Sequence, residues 1–212
     1  MNQINTIQGN LYFNDWVALG KEIQRLNASS IFVLVDENTE KYCLFHILDH
    51  IDQPVKIIRI NSGEINKSLD SCQRVWQFLL DKGADRHSLL INLGGGMISD
   101  LGGFCAGTYM RGIRFINIPT TLLSQVDAAI GGKTGIDFQG RKNMIGLFAH
   151  PESVFVFTAF LKTLPTNEFK SGYAELLKHG LISDKSLWAK LINRDINEIE
   201  DIATLVNQSI NI

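Results

Sequence analysis

The apolar residues of this chain fall into two patterns that alternate along it. Residues 31–35 form a short unbroken apolar run, and 55–60, 89–93 and 113–118 are short, mainly apolar runs. Runs of that kind predict strands covered on both faces, as in a parallel sheet. Between them, residues 15–26, 39–50, 67–82 and 98–109 place apolar residues at helical spacing. In 67–82 the stripe is Leu69, Cys72, Val75, Trp76, Leu79 and Leu80, with Gly83 placed to stop the helix. The 98–109 helix carries Gly102, Gly103 and Gly107. Each costs about 1 kcal/mol of helix propensity against alanine, so their presence predicts close packing on a sheet or a ligand. A strand near 11–13, a helix over 122–130 after Pro119 and Thr120-Thr121, and a strand over 154–157 complete this part. The alternation predicts an α/β fold, a doubly wound and mainly parallel Rossmann-like sheet with right-handed crossovers.

From residue 166 the pattern is helical only. Thr166 is placed to cap a helix to His179 that shows Phe169, Tyr173, Leu176 and Leu177 on one face, with Gly180 as its stop. Asp184 can cap a second helix, and 196–210 reads as a third. The expected organisation is an α/β domain over 1–165 and the first helices of an all-α domain over 166–212. The last pattern ends without a cap or a polar tail, so the helical part reads as cut short.

The charged share of 20% and the apolar share of 45% are those of an ordinary globular chain. The net charge of −2 argues against general nucleic-acid binding, so any basic site is a local concentration. No apolar run is long enough to span a membrane, and MNQINTIQGN lacks the basic start and apolar core of a secretory signal. Cys43, Cys72 and Cys105 are irregularly spaced and contain no CxxC. They read as buried free thiols in a reducing cytoplasm.

In sheets of this kind ligands bind beyond the C-terminal strand ends. Asp36, Ser62–Glu64, Gly94–Gly96 and Thr120-Thr121 all fall at predicted ends of that kind. Gly94, Gly96 and Ser99 stand where a G-x-G-x-x-G motif needs three glycines, so spacing alone supports a phosphate loop weakly. Asp36 suits either a ribose diol or the N-cap of the next helix. Two further glycine-containing basic turns, Gly131-Gly132-Lys133 and Gly140-Arg141-Lys142-Asn143, follow. Their cations, with Arg111 and Lys178, are either solvated surface or anchors for a phosphate and a carboxylate, arginine as a fork and lysine as a point charge. Glu175 and Lys178 are three apart, which by spacing favours a surface ion pair over a metal ligand or a charge facing a cleft. His46 and His50 lack the glutamate of an H-E-x-x-H site, and there is no G-x-S-x-G elbow.

The segments GGGMISDLGGF, TYMRGIRFINIPTTLLSQVDAAIGGKTGI, KNMIGLF and FLKTLP…GYAELLKHGLI, in this order, resemble the 3-dehydroquinate synthase family of sugar phosphate cyclases. The likeness runs from about Asp36 to Ile182. It implies conversion of 3-deoxy-arabino-heptulosonate 7-phosphate to 3-dehydroquinate and phosphate in the shikimate pathway, through transient oxidation by NAD. On that likeness Asp36 and Asn38 hold the adenosine ribose, and Ser62, Gly63, Glu64 and Lys67 line the NAD site. Gly95, Gly96, Met97, Ile98, Ser99 and Asp100 sit at its pyrophosphate and nicotinamide side, and Thr120, Thr121, Phe160, Leu161, Lys162 and Thr163 complete it. Asp127, Lys133, Lys142, Asn143 and Lys178 contact the substrate, and Arg111 reaches the substrate phosphate of the other subunit of a homodimer. Glu175 becomes one of three ligands to a divalent metal, zinc or cobalt, which reverses the preference drawn from spacing. The family's other two ligands are histidines of the later helical domain that match no position here, so this chain alone is expected to be inactive. Ser99 and His179 are smaller departures. The implied protein is a cytoplasmic enzyme that takes a small sugar phosphate and neither nucleic acid nor membrane. The alternatives are a metal-dependent NAD alcohol or glycerol dehydrogenase, and a non-catalytic NAD-binding fragment.

Overall fold

The computed structural model describes residues 3–6, 9–196, 199 and 201–212. The main sheet has the order β1-β2-β9-β6-β5-β3-β4 among the described residues. Its strands are β1 (Gln3–Thr6), β2 (Gly9–Phe13), β3 (Ile31–Val35), β4 (Val55–Arg59), β5 (Leu89–Gly94), β6 (Arg114–Pro119) and β9 (Ser153–Val156). Every pairing is parallel except that of β1 with β2. The expected α/β fold is therefore observed, with one antiparallel edge strand added. From β3 the chain steps outward to β4, then returns to the other side of β3 with β5 and continues to β6 and β9. That reversal puts the crevice between the loops after β3 and β5, where doubly wound sheets bind ligands.

Side-chain alternation along the strands gives each face its own core. Ile31, Val33 and Val35 join Leu89, Ile91, Leu93, Phe155 and Phe157 on one face. That face is covered by α1 (Trp16–Leu26), α2 (Glu37–Tyr42) and α3 (Leu44–Leu48). Phe32, Leu34, Ile58 and Leu90 turn to the other face, under α4 (Leu69–Asp81) and α5 (Gly96–Thr108). Further along that side, Val154 and Val156 pack with α6 (Thr166–Ile182), α7 (Lys185–Leu191) and α8 (Ile202–Ile210).

Several expected elements differ in detail. The helix over 39–50 is two short ones, α2 and α3, broken at Cys43. Leu69 and Leu80 lie on the exposed side of α4 instead of its buried stripe. The 122–130 helix contains a π-helical turn over Ser124–Ala128. Pro165 rather than Thr166 is the N-cap of α6, and the helix runs through Gly180 to Ile182. Gly180 is a packing residue: a Cβ there would stand 2.7 Å from the backbone nitrogen of Trp188 in α7. Residues 197, 198 and 200 of the expected 196–210 helix lie outside the described residues, and α8 covers its second part.

The largest departure is a β-hairpin that the apolar pattern did not predict. Strands β7 (Lys133–Phe138) and β8 (Arg141–Phe148) pair antiparallel across Gln139 and Gly140. Both turn residues have positive φ, 48° and 75°, as a type I′ turn requires. The expected basic turn at 140–143 is therefore a turn at Gln139-Gly140, with Lys142 and Asn143 on the strand beyond it. Gly102 of α5 packs on the sheet, where a Cβ would run into Asn92 and Leu34, and Gly103 and Gly107 are explained by the same hairpin. A Cβ on Gly103 would stand 2.5 Å from Thr134 Cγ2, and one on Gly107 would stand 2.8 Å from Leu147 Cδ1. The helix surrenders propensity at these positions so that β7–β8 can lie against it.

Candidate active site

At the C-terminal edge of the sheet, α5 begins directly after the glycines that end β5. Its N-cap, Gly95, makes no side-chain capping bond. The first-turn N–H groups at Gly96, Met97 and Ile98 therefore point into the strand-end crevice, an arrangement suited to an anion. Gly95 itself must be small, since a Cβ there would meet Thr121 Cγ2 at 2.9 Å. Ile98 is fully buried and Ser99 nearly so, and the Ser99 N–H already donates to Gly95 O at 3.1 Å, so these two residues seat the first turn of the helix against the sheet. Thr121 and Ser124 are joined hydroxyl to hydroxyl at 2.9 Å, and the Thr120 N–H donates to Gly94 O at 3.0 Å, which fixes the loop after β6 to the glycine loop.

Asp36 performs the capping role that spacing left open. Its Oδ1 accepts the Thr39 N–H at 2.8 Å, and the Thr39 hydroxyl accepts the Asp36 N–H, forming a reciprocal capping box. The carboxylate remains at the end of β3, and exposed Asn38 lies in the first turn of α2. Glu37 reaches across to accept the Ser62 N–H at 2.6 Å, so the loops after β3 and β4 are tied together. Gly63 holds φ at 94° in that second loop.

Lys67 is the centre of the site. It is 3% exposed, and its ammonium donates to Asp100 Oδ2 on α5 and, at 2.5 Å, to Asn143 Oδ1 on β8. Burial pushes the Asp100 carboxyl above the ordinary carboxylate range, Lys67 opposes that rise, and the charges of Glu64 and Asp127 add to it. Lys142 meets Glu64 at 3.3 Å on the outer rim. Three segments distant in sequence, the β4 loop, α5 and the hairpin, thus close around one buried cation.

Beside this network lies a cavity of about 590 Å³, lined among others by Asp100, Asp127, Lys133, Thr134 and Asn143. Lys133 is exposed at the start of β7. Helix α6 brings a second group close. Glu175 pairs with Lys178, and His179 Nε2 stands 3.3 Å from the same Oε1. Glu175 holds the Lys178 ammonium above its usual range, and Asp127 adds to the effect. Asp127 therefore acts electrostatically on both Asp100 and Lys178, and joins the two halves of the site. Oε1 of Glu175 is buried without a well-directed hydrogen bond, which suits a metal donor. However, no group of three His, Cys, Asp or Glu side chains able to hold a metal occurs among the described residues. They offer one donor and do not make up a metal site.

Residues 57–171 match the N-terminal family of 3-dehydroquinate synthase. The chain belongs to the 3-dehydroquinate synthase family. The family's curated members include the 3-dehydroquinate synthase of Parabacteroides distasonis, 45% identical over 192 residues, a match covering 89% of this chain and 54% of that protein. The synthase of Clostridium tetani is 46% identical over 164 residues, covering 75% of this chain and 43% of its own length. The chain thus spans about half the length of the curated relatives it matches. Among solved structures, 2-deoxy-scyllo-inosose synthase, complexed with carbaglucose-6-phosphate, NAD+ and Co2+, superposes with a TM-score of 0.86 at 24% identity, over 99% of this chain and 61% of that one. The 2-epi-5-epi-valiolone synthase of Streptomyces hygroscopicus, with NAD+ and Zn2+ bound, gives 0.83 at 24% identity, over 98% and 61%. These structural likenesses establish the fold.

Of the expected residues, Asp100, Asp127, Lys133 and Asn143 line the cavity and the others do not. Arg111 follows α5 at the opposite edge of the sheet, beyond a 13-residue helix about 20 Å long. It does not join this chain's own site. Phe160 and Leu161 lie in a 3-10 turn after β9 with both side chains in the cores, while Lys162 and Thr163 are exposed. Sequence reasoning missed Asp137, whose N–H donates to Lys67 O at 2.9 Å and whose Oδ1 accepts the Asn143 N–H at 2.8 Å. The available signal was Gln139-Gly140 itself, a two-residue turn ending in glycine between two segments that contain Ile136, Phe138, Ile145 and Leu147, which is compatible with a hairpin. No helix among the described residues is long and apolar enough to cross a membrane.

Proposed function

We propose that the chain is the dinucleotide-binding part, with the first substrate-side helices, of a 3-dehydroquinate synthase, and that the division between them falls at residues 165 and 166. The observation that carries this reading is the closure of Lys67, Asp100 and Asn143 around one buried cation beside the uncapped start of α5. NAD fits this edge. Glycines admit the pyrophosphate to the N–H groups of residues 96–98, Asp36 and Asn38 take the adenosine ribose, and Ser62, Gly63, Glu64 and Lys67 close one side. Thr120, Thr121 and the 160–163 turn close the other. Bound there, NAD would supply a reversible hydride acceptor, through which the sugar could be oxidised transiently with no net redox change.

The chain's own residues hold and orient the sugar phosphate. Lys133, Lys142 and Lys178 supply positive charge for the carboxylate and phosphate, directed at groups whose charge grows during phosphate loss. Asn143 and Asp127 fix hydroxyl groups of the substrate. Arg111, remote from this chain's cavity, serves the site of a second copy in a homodimer. Glu175 contributes one donor to a divalent metal, and its partners lie outside the described residues.

With the heptulosonate phosphate, catalytic NAD and zinc or cobalt supplied, this chain continued through a relative's C-terminal helices is expected to release phosphate without accumulating NADH. Stoichiometric NADH from a simple polyol, without phosphate, would instead favour a dehydrogenase. NAD binding without either product would mark a non-catalytic module.

A further inference from the structure

We propose that Asp137 is a positioning residue that sets Asn143 and Lys67 for ligand binding. The inference rests on the reading of this cavity as the dinucleotide and substrate site.

The pairing of β7 with β8 is irregular at one place. Two steps on β7, from Ile136 to Phe138, face four on β8, from Arg141 to Ile145. The two additional residues bulge out between Arg141 and Ile145, and Asn143 at the middle of the bulge has φ of 55°. A left-handed conformation is tolerated by asparagine but is not its resting state, so something must hold it there. Asp137 does so. It is the residue of β7 opposite the bulge, and its carboxylate accepts the Asn143 N–H at 2.8 Å. The same residue's N–H donates to Lys67 O at 2.9 Å, which joins the hairpin to the β4 loop. The Asn143 side chain then accepts from Lys67 Nζ at 2.5 Å, completing a ring of three residues. Asp137 does not line the cavity. It acts through the backbone of Lys67 and the conformation of Asn143, and bulges beside active sites commonly re-aim a side chain in this way. The acceptor oxygen does the work, so asparagine at 137 retains the function and alanine removes it.

The test titrates NAD into the full chain as wild type, Asp137→Asn and Asp137→Ala, and follows hydrogen exchange at the Asn143 amide in each. Asp137→Asn is expected to bind NAD within about threefold of wild type, and Asp137→Ala about tenfold more weakly, the loss of one charge-assisted hydrogen bond. Exchange at the Asn143 amide should accelerate only in the alanine variant. If alanine does not fold, Asp137→Glu, which displaces the carboxylate by one methylene, is scored in its place. Wild-type affinity and slow Asn143 exchange in the alanine or glutamate variant overturn the proposal. Equal weakening in the asparagine variant does so as well, because the charge and not the acceptor geometry would then matter. Absence of NAD binding in the wild type is a different result. It overturns the reading of the site and the ligand role of Asp137 with it.

Discussion

Lys67→Ala is expected to lower the melting temperature of the chain by about 6–12 °C and to abolish measurable NAD binding. Removing one partner of a buried ion pair strands the other, at a cost of roughly 3–5 kcal/mol. The Asp100 side chain keeps 21% of its exposure, which places the loss near the lower limit, about 3 kcal/mol. For a chain of this size each kcal/mol moves the midpoint by about 2–4 °C. The deficit should also depend on pH. Burial already raises the Asp100 pKa, and Lys67 opposes the rise. Without the lysine the folded pKa stands further above that of the unfolded chain. The folded form then binds a proton that the unfolded form has lost, and stability falls as pH rises through the interval between the two values. The variant's deficit is thus largest near neutral pH and narrows towards acid, as Asp100 becomes neutral. Pairing Lys67→Met with Asp100→Asn should recover much of the loss. Thermal melts across pH decide the matter, and a wild-type midpoint in Lys67→Ala would show that the buried cation holds nothing together.

The contrast between what the residues foretold and what they concealed follows from the same contacts. The strands 31–35, 89–93 and 113–118 were legible because a strand buried on both faces needs a mainly apolar run, interrupted here only by Asn92, Arg114 and Asn117. The positions of Asp36, Ser62, Gly95 and Thr120 at the strand ends followed from that. The hairpin was not legible in the same way. Its outer residues Met144 and Phe148 are exposed, so β8 lacks the alternation that a half-buried strand shows. The Lys67–Asp100–Asn143 contact joins residues 33 and 76 positions apart, a relation that local pattern does not carry. The metal-donor reading of Glu175 came only from the family likeness, because a glutamate three residues before a lysine has the spacing of an ordinary helical ion pair.

Lys133→Ala should lower turnover at least about a hundredfold in the chain continued through the family's later helices, the scale of losing one charged group directed at developing charge. Its effect on NAD affinity should remain within about threefold, and its effect on stability within about 0.5 kcal/mol, since the side chain is exposed. The two effects separate because Lys133 lines the cavity through β7, away from the uncapped start of α5. Steady-state phosphate release measured beside NAD titration makes the comparison. Equal losses in both would assign Lys133 to the dinucleotide and remove it from the substrate.

The claim on which the rest depends is that the C-terminal edge of this sheet binds a dinucleotide. Hydrogen exchange of the chain with and without NAD tests it most directly. The predicted result is slower exchange at the amides of residues 95–100, 120–121 and 62–67, with no change around Arg111 and Arg114 at the opposite edge. No protection at saturating NAD, or protection confined to that opposite edge, would contradict it.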